Sequence, residues 1–87
     1  MAINLGNSSA MYNLGYYYKN VEKDYLQMKK YYQKAIDLGN SCAMYNLGYY
    51  YQFEKKDYQQ MKKYYQMAID LGNEQAMNNL DLFNSTH

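Results

Sequence analysis

Apolar positions along this 87-residue chain return every three to four residues, and the whole pattern returns 33 residues later. In the segment AMYNLGYYY, residues 10–18, the side chains of Ala10, Met11, Leu14, Tyr17 and Tyr18 share one side of a 3.6-residue helix. Between 25 and 36, Tyr25, Met28, Tyr32, Ala35 and Ile36 make a second such side. Asn7 and Asn40 precede the first kind of segment as N-caps. Asp24-x-x-Gln27 and Asp57-x-x-Gln60 open the second kind in the manner of a capping box. Gly39 and Gly72 stand where a helix end needs a left-handed residue. The spacing therefore predicts helices over 8–19, 25–38, 41–52, 58–71 and 74–84. Strand is the rival for the tyrosine triplets, but the three-to-four spacing runs through both copies and favours helix.

The repetition is close. Residues 7–39 and 40–72 agree at 26 of 33 positions. They differ at Ser9/Cys42, Lys19/Gln52, Asn20/Phe53, Val21/Glu54, Glu22/Lys55, Leu26/Gln59 and Lys34/Met67. Four consecutive differences fall on one short polar stretch, 19–22, which is expected to be a surface loop. A period of this length marks a solenoid in which each helical hairpin buries its apolar face against the next. A third, altered copy, AMNNLDLFN at 76–84, is followed by no second-helix pattern and is expected to be a C-terminal capping helix. Residues 1–6 repeat the end of a second helix, as a truncated preceding repeat. The expected organisation is 1–6, repeat 1 at 7–39, repeat 2 at 40–72, and a capping helix and tail at 73–87.

The residues Ala43, Tyr45, Asn46, Leu47, Gly48 and Tyr51, then Asp57-Tyr58, Tyr64-Tyr65, Ala68 and Leu71-Gly72-Asn73, together resemble the Sel1-like repeats, relatives of the tetratricopeptide repeat. The set within 10–39 matches equally well, so the resemblance covers nearly the whole chain. Thirteen residues from Ala35 to Gly48 fit that pattern. The twenty from Gly48 to Ala68 are about three short of it, so the loop within each hairpin is trimmed, and Met28 and Met61 replace a customary alanine. The resemblance implies an all-α, right-handed α-solenoid of antiparallel hairpins, two full repeats plus the cap. It also implies that Gly15 and Gly48 lie where the second helix of the same repeat crosses the first. The third copy has Asp81 there, where no crossing helix follows.

Composition removes more functions than it suggests. Nine lysines against eight acids leave a net charge of +1, so bulk charge draws the chain to neither nucleic acid nor membrane. Cys42 is the only cysteine, which rules out an internal disulfide, and its match at Ser9 makes it a half-buried structural thiol. His87, the only histidine, is the last residue, so no zinc or nucleophile–base set can be assembled around it. Asp24 and Asp57 are accounted for as caps. Asp37 and Asp70 sit in last helical turns, disfavoured by the macrodipole, and pairing with a neighbouring repeat is expected. No catalytic residue, cofactor or metal is expected. Asn7-Ser8-Ser9 and Asn84-Ser85-Thr86 match the glycosylation triplet, but no secretory leader is recognisable, and an intracellular, cytoplasmic protein is the expectation.

The residues left over define the candidate site. Opposite the inward side of the first helix lie Tyr12, Asn13, Tyr16 and Lys19, then one period on Tyr45, Asn46, Tyr49 and Gln52, and in the cap Asn78, Asn79 and Leu82. The resemblance makes this side a concave groove for an extended peptide or a partner protein. Tyrosine offers large amphipathic contact, and an asparagine amide can bond both groups of a passing backbone. Packing alone is the plainer reading of the tyrosines. The rival function is nucleic-acid or anionic-surface binding through Lys23, Lys29, Lys30, Lys34, Lys55, Lys56, Lys62 and Lys63. These cluster on the second helices and their approaches, and also suit a solvated convex face. A weak homodimer through the end faces is a further expectation.

Overall fold

The computed structural model describes residues 2–86, with the side chains of residues 2–6 excepted; Met1 and His87 lie outside it. The described residues form five α-helices: α1 (Ala2–Tyr17), α2 (Tyr25–Asp37), α3 (Ser41–Tyr50), α4 (Tyr58–Asp70) and α5 (Glu74–Thr86). No strand occurs among them. No helix among them is long and apolar enough to cross a membrane. Two compact units divide the chain, Met1–Ala43 and Met44–His87.

The helix ends follow the sequence closely. Asp24 accepts the Gln27 amide at 3.2 Å and Asp57 the Gln60 amide at 3.3 Å, capping α2 and α4. α2 closes with Asn40 N–H on the Ala35 carbonyl at 3.0 Å and Gly39 N–H on the Ile36 carbonyl at 2.8 Å. This Schellman pair requires a left-handed residue, and Gly39 has φ 87°. Gly72 repeats the arrangement at φ 86° after α4. Asn40 then caps α3 by accepting the Ala43 amide at 3.0 Å, and Asn73 caps α5 through Ala76 at 2.8 Å. One Leu-Gly-Asn tripeptide thus ends one helix and starts the next. The same tripeptide at 5–7 does neither, because α1 runs straight through it and Asn7 is not a cap.

Residues 19–22 are not a loop. The first helix of each repeat continues as a π-helical turn, Tyr18–Glu22 and Tyr51–Lys55. Each π turn ends in a lysine with left-handed backbone, Lys23 at φ 56° and Lys56 at φ 54°. The wider turn swings Tyr18 flat against Tyr31, rings 5.6 Å apart and 5° from parallel. Tyr51 meets Tyr64 in the same way at 5.7 Å and 7°. These stacks tie each π turn to the second helix of its own hairpin.

Within each unit the first helix meets the second at its glycine. A Cβ on Gly48 would lie 2.6 Å from the ring of Tyr65 on α4, and one on Gly15 would overlap the ring of Tyr32 on α2. Met28, Tyr32, Ala35 and Ile36 are buried along α2, and Met61, Tyr64, Tyr65 and Ala68 along α4. α5 lays Ala76 and Phe83 inward, Phe83 touching Tyr58 at 4.8 Å between ring centres. Asp81 is exposed.

The two copies of the first helix differ in burial despite their identical letters. Ala43, Leu47 and Tyr50 are 0, 2 and 2% exposed. Their counterparts Ala10, Leu14 and Tyr17 were expected to face inward as well, yet Ala10 is exposed, Leu14 is 38% exposed and Tyr17 44%. Tyr17 instead donates its hydroxyl to Glu22 at 2.8 Å. Two smaller expectations also change. Cys42 is exposed rather than half-buried. Asp37 and Asp70 accept amide protons from Gln33 and Gln66 one turn back on their own helices, at 3.1 and 3.0 Å.

Candidate binding site

A cleft of about 390 Å³ opens in the second unit. One wall comes from α3 and its π turn: Tyr45, Tyr49, Gln52 and Phe53. The other comes from α5, where Asn79, Leu82, Phe83 and Thr86 recur at helical spacing along one stripe. The π turn matters here because it lays Phe53 against Tyr49, rings 4.5 Å apart. Tyr45 leans on Tyr49 at 6.1 Å, so three rings run along the α3 wall.

Tyr65 of α4 joins the two walls. Its ring is fully buried and stacks on Tyr45 at 5.9 Å. Its hydroxyl donates to Gln52 Oε1 at 2.7 Å and accepts from Asn79 Nδ2 at 3.3 Å. Asn79 Nδ2 also donates to the Tyr45 hydroxyl at 3.3 Å. Burial pushes the Tyr65 phenol from 10.0 up to about 12, against a smaller lowering effect of the bond from Asn79, so the hydroxyl keeps its proton at neutral pH.

The amide groups are thereby oriented. Asn79 spends both its protons on tyrosines, leaving Oδ1 as an acceptor. Gln52 spends Oε1 on Tyr65, leaving Nε2 as a donor. Neither atom has a partner among the described residues. Around them the lining is apolar and exposed: Phe53 is 53% and Leu82 66% exposed. No aspartate, glutamate, lysine, arginine or histidine belongs to the lining. Lys62 lies over the ring of Phe83, 5.6 Å from its centre, without entering the lining.

Of the eleven residues expected at the site, Tyr45, Tyr49, Gln52, Asn79 and Leu82 come together here, while Asn78 is exposed outside the lining. Asn46 belongs to the same unit, half-buried, but does not line the cleft. Tyr12, Asn13, Tyr16 and Lys19 belong to the first unit. There Tyr12 contacts Tyr16 at 6.2 Å and stacks on Tyr32 at 5.8 Å, while Asn13 is exposed and Lys19 half-buried. Tyr32 is buried like Tyr65, but its hydroxyl has no hydrogen-bond partner among the described residues. Burial raises its pKa as well. Sequence reasoning missed Phe53, Phe83 and Thr86. The 79/82/83/86 stripe was legible as helical spacing, whereas Phe53 sat in a stretch expected to be a loop.

Compared with protein-family models, with curated proteins and with solved structures, the chain matches none.

Proposed function

We propose that the chain is a protein- or peptide-binding module without catalytic activity. In this reading it is a short right-handed α-solenoid of Sel1-like repeats that holds its partner on the side lined by the first helices. The observation that carries it is the cleft of the second unit: exposed aromatic and aliphatic walls around oriented, unpaired amide groups, with no charged side chain in the lining. Exposed apolar side chains gathered in one concavity mark an interaction site, whereas the same residues scattered singly would not.

The test is binding by the full chain to a displayed library of random linear peptides, repeated with Tyr49→Ala/Leu82→Ala. Both side chains are exposed, so the fold should be little affected. Binding should fall by roughly 2 kcal/mol or more, as at hot-spot positions. Equal binding by this variant, with loss in a Lys29/Lys30/Lys62/Lys63→Ala variant, would place the partner on the lysines instead.

A further inference from the structure

Resting on the binding reading above, we infer that the second-unit cleft takes one uncharged apolar residue of a peptide, with that residue's own backbone amide group, and that Gln52 and Phe53 set this specificity. Three observations lead there. First, the volume of about 390 Å³ suits a leucine- to phenylalanine-sized side chain together with adjacent backbone, at the small end of ligand pockets.

Second, the cleft's polarity suits a neutral group that both donates and accepts a hydrogen bond, as a peptide group does. It offers an unpaired carbonyl acceptor, Asn79 Oδ1, and an unpaired amide donor, Gln52 Nε2. A backbone N–H and C=O satisfy these two. A carboxylate would face Asn79 Oδ1, a repulsion. An ammonium group would find no carboxylate in the lining and would lose its hydration shell against Phe53 and Leu82. The charge complementarity is therefore that of a neutral dipole. Tyr65 is the positioning residue: its single hydroxyl, donating one way and accepting the other, holds both amides in this sense.

Third, the copies diverge at these positions. Gln52 and Phe53 replace Lys19 and Asn20, so the second repeat has exchanged a cation and an amide for a neutral amide and an aromatic ring. The tyrosines around them, Tyr45 and Tyr49, are unchanged from Tyr12 and Tyr16. The change removes charge from the cleft lining and adds apolar wall.

The experiment pans a random linear peptide library on the full chain and measures the selected peptides by fluorescence anisotropy. It uses wild type, Gln52→Lys/Phe53→Asn, and Tyr65→Phe. The double variant installs residues that the first repeat already accommodates in its π turn, and circular dichroism checks that it folds. The selected peptides should share one apolar residue without a charge. Changing that residue to Lys or Glu, or applying the double variant, should each weaken binding at least tenfold. N-methylating the backbone of that residue should weaken binding to wild type several-fold but change little in Tyr65→Phe, where the amides are no longer held. Peptides that bind the double variant equally, or anchor through a charged residue, would overturn this inference and leave the binding reading standing. A library that yields no binder at all would overturn both.

Discussion

Gly48→Ala adds one methyl group where α3 meets the ring of Tyr65. The new Cβ would lie 2.6 Å from Cδ1 and 2.7 Å from Cε1 of Tyr65. Carbon atoms settle about 3.5–4.0 Å apart, so ring or helix must retreat by about 1 Å. The ring is poorly placed to yield, being fully buried, stacked on Tyr45, and tied through its hydroxyl to Gln52 and Asn79. Overpacking of this kind costs about 1–3 kcal/mol, and disturbing the hydroxyl's bonds adds about 1 kcal/mol. Alanine's better helix propensity returns about 1 kcal/mol. The net expectation is a loss of about 2 kcal/mol in urea unfolding followed by far-UV circular dichroism. The cause is isolated by a double-mutant cycle with Tyr65→Leu, which removes the obstructing ring. In that background Gly48→Ala should be neutral or stabilising, giving a coupling of at least about 1 kcal/mol. Asp81→Ala, at the matching and exposed position of α5, should change stability by less than about 1 kcal/mol. A Gly48→Ala loss of equal size with and without the Tyr65 ring would refute the crossing as the reason for glycine.

Other expectations follow from the same contacts. Leu47→Ala should cost about 2–5 kcal/mol in urea unfolding, and Leu14→Ala, the same letter one period earlier but 38% exposed, about 1 kcal/mol or less. Tyr32→Phe should be neutral or stabilising, because its buried hydroxyl has no partner among the described residues, whereas Tyr65→Phe should cost about 1 kcal/mol. Lys56→Gly should keep or raise stability, by up to about 1 kcal/mol, since glycine accepts the left-handed backbone that Lys56 holds at φ 54°. In alkali, the native chain keeps the phenolic protons of Tyr65, whose pKa is about 12, and of Tyr32, raised likewise, while the unfolded chain loses them near 10. Stability should therefore be fully present below about pH 10 and decline as the pH rises toward 12, measurable as tyrosinate absorbance rising together with loss of helix.

What the sequence made legible was local or repeated. Caps at Asp24, Asp57 and Asn40, and the left-handed stops at Gly39 and Gly72, depend on a few adjacent residues whose chemistry is specific to those places. The glycine at 48 was legible because the altered third copy carries Asp81, exposed, at the matching position, while a Cβ on Gly48 would meet the Tyr65 ring. The π turns were not legible, since residues 19–22 show no apolar period and the residue closing the turn is lysine rather than glycine. Nor could letters alone separate Leu14 from Leu47, because burial is set by what packs against a helix and both helices carry the same nonamer. At the site, Tyr45, Tyr49, Gln52 and Asn79 followed from spacing and register. Phe53 did not, because only the π turn carries it into the wall.

The divergence between copies bears on function more than their identity does. Packing constrains apolar positions, and the two repeats share them: Met28 and Met61, Tyr32 and Tyr65, Ala35 and Ala68 are pairwise identical and buried. Positions free of packing can drift, and most differences are of that kind; Leu26, opposite Gln59 in the register, is 75% exposed. Gln52 is different in kind. It is half-buried and holds the hydroxyl of a buried tyrosine, while the matching Tyr32 lacks a described partner altogether. Gln52 gives the Tyr65 hydroxyl, which already accepts from Asn79, an acceptor for its own proton, and a net hydrogen bond of about 1 kcal/mol lets the glutamine stabilise its unit as well as shape the cleft. Phe53 has no such role to explain it. Its ring is half out in water, against Tyr49 and facing Leu82 and Thr86 within the cleft lining. An exposed aromatic that contributes little to the fold, beside a glutamine already fixed by the fold, is what a site adapted to an uncharged ligand would require.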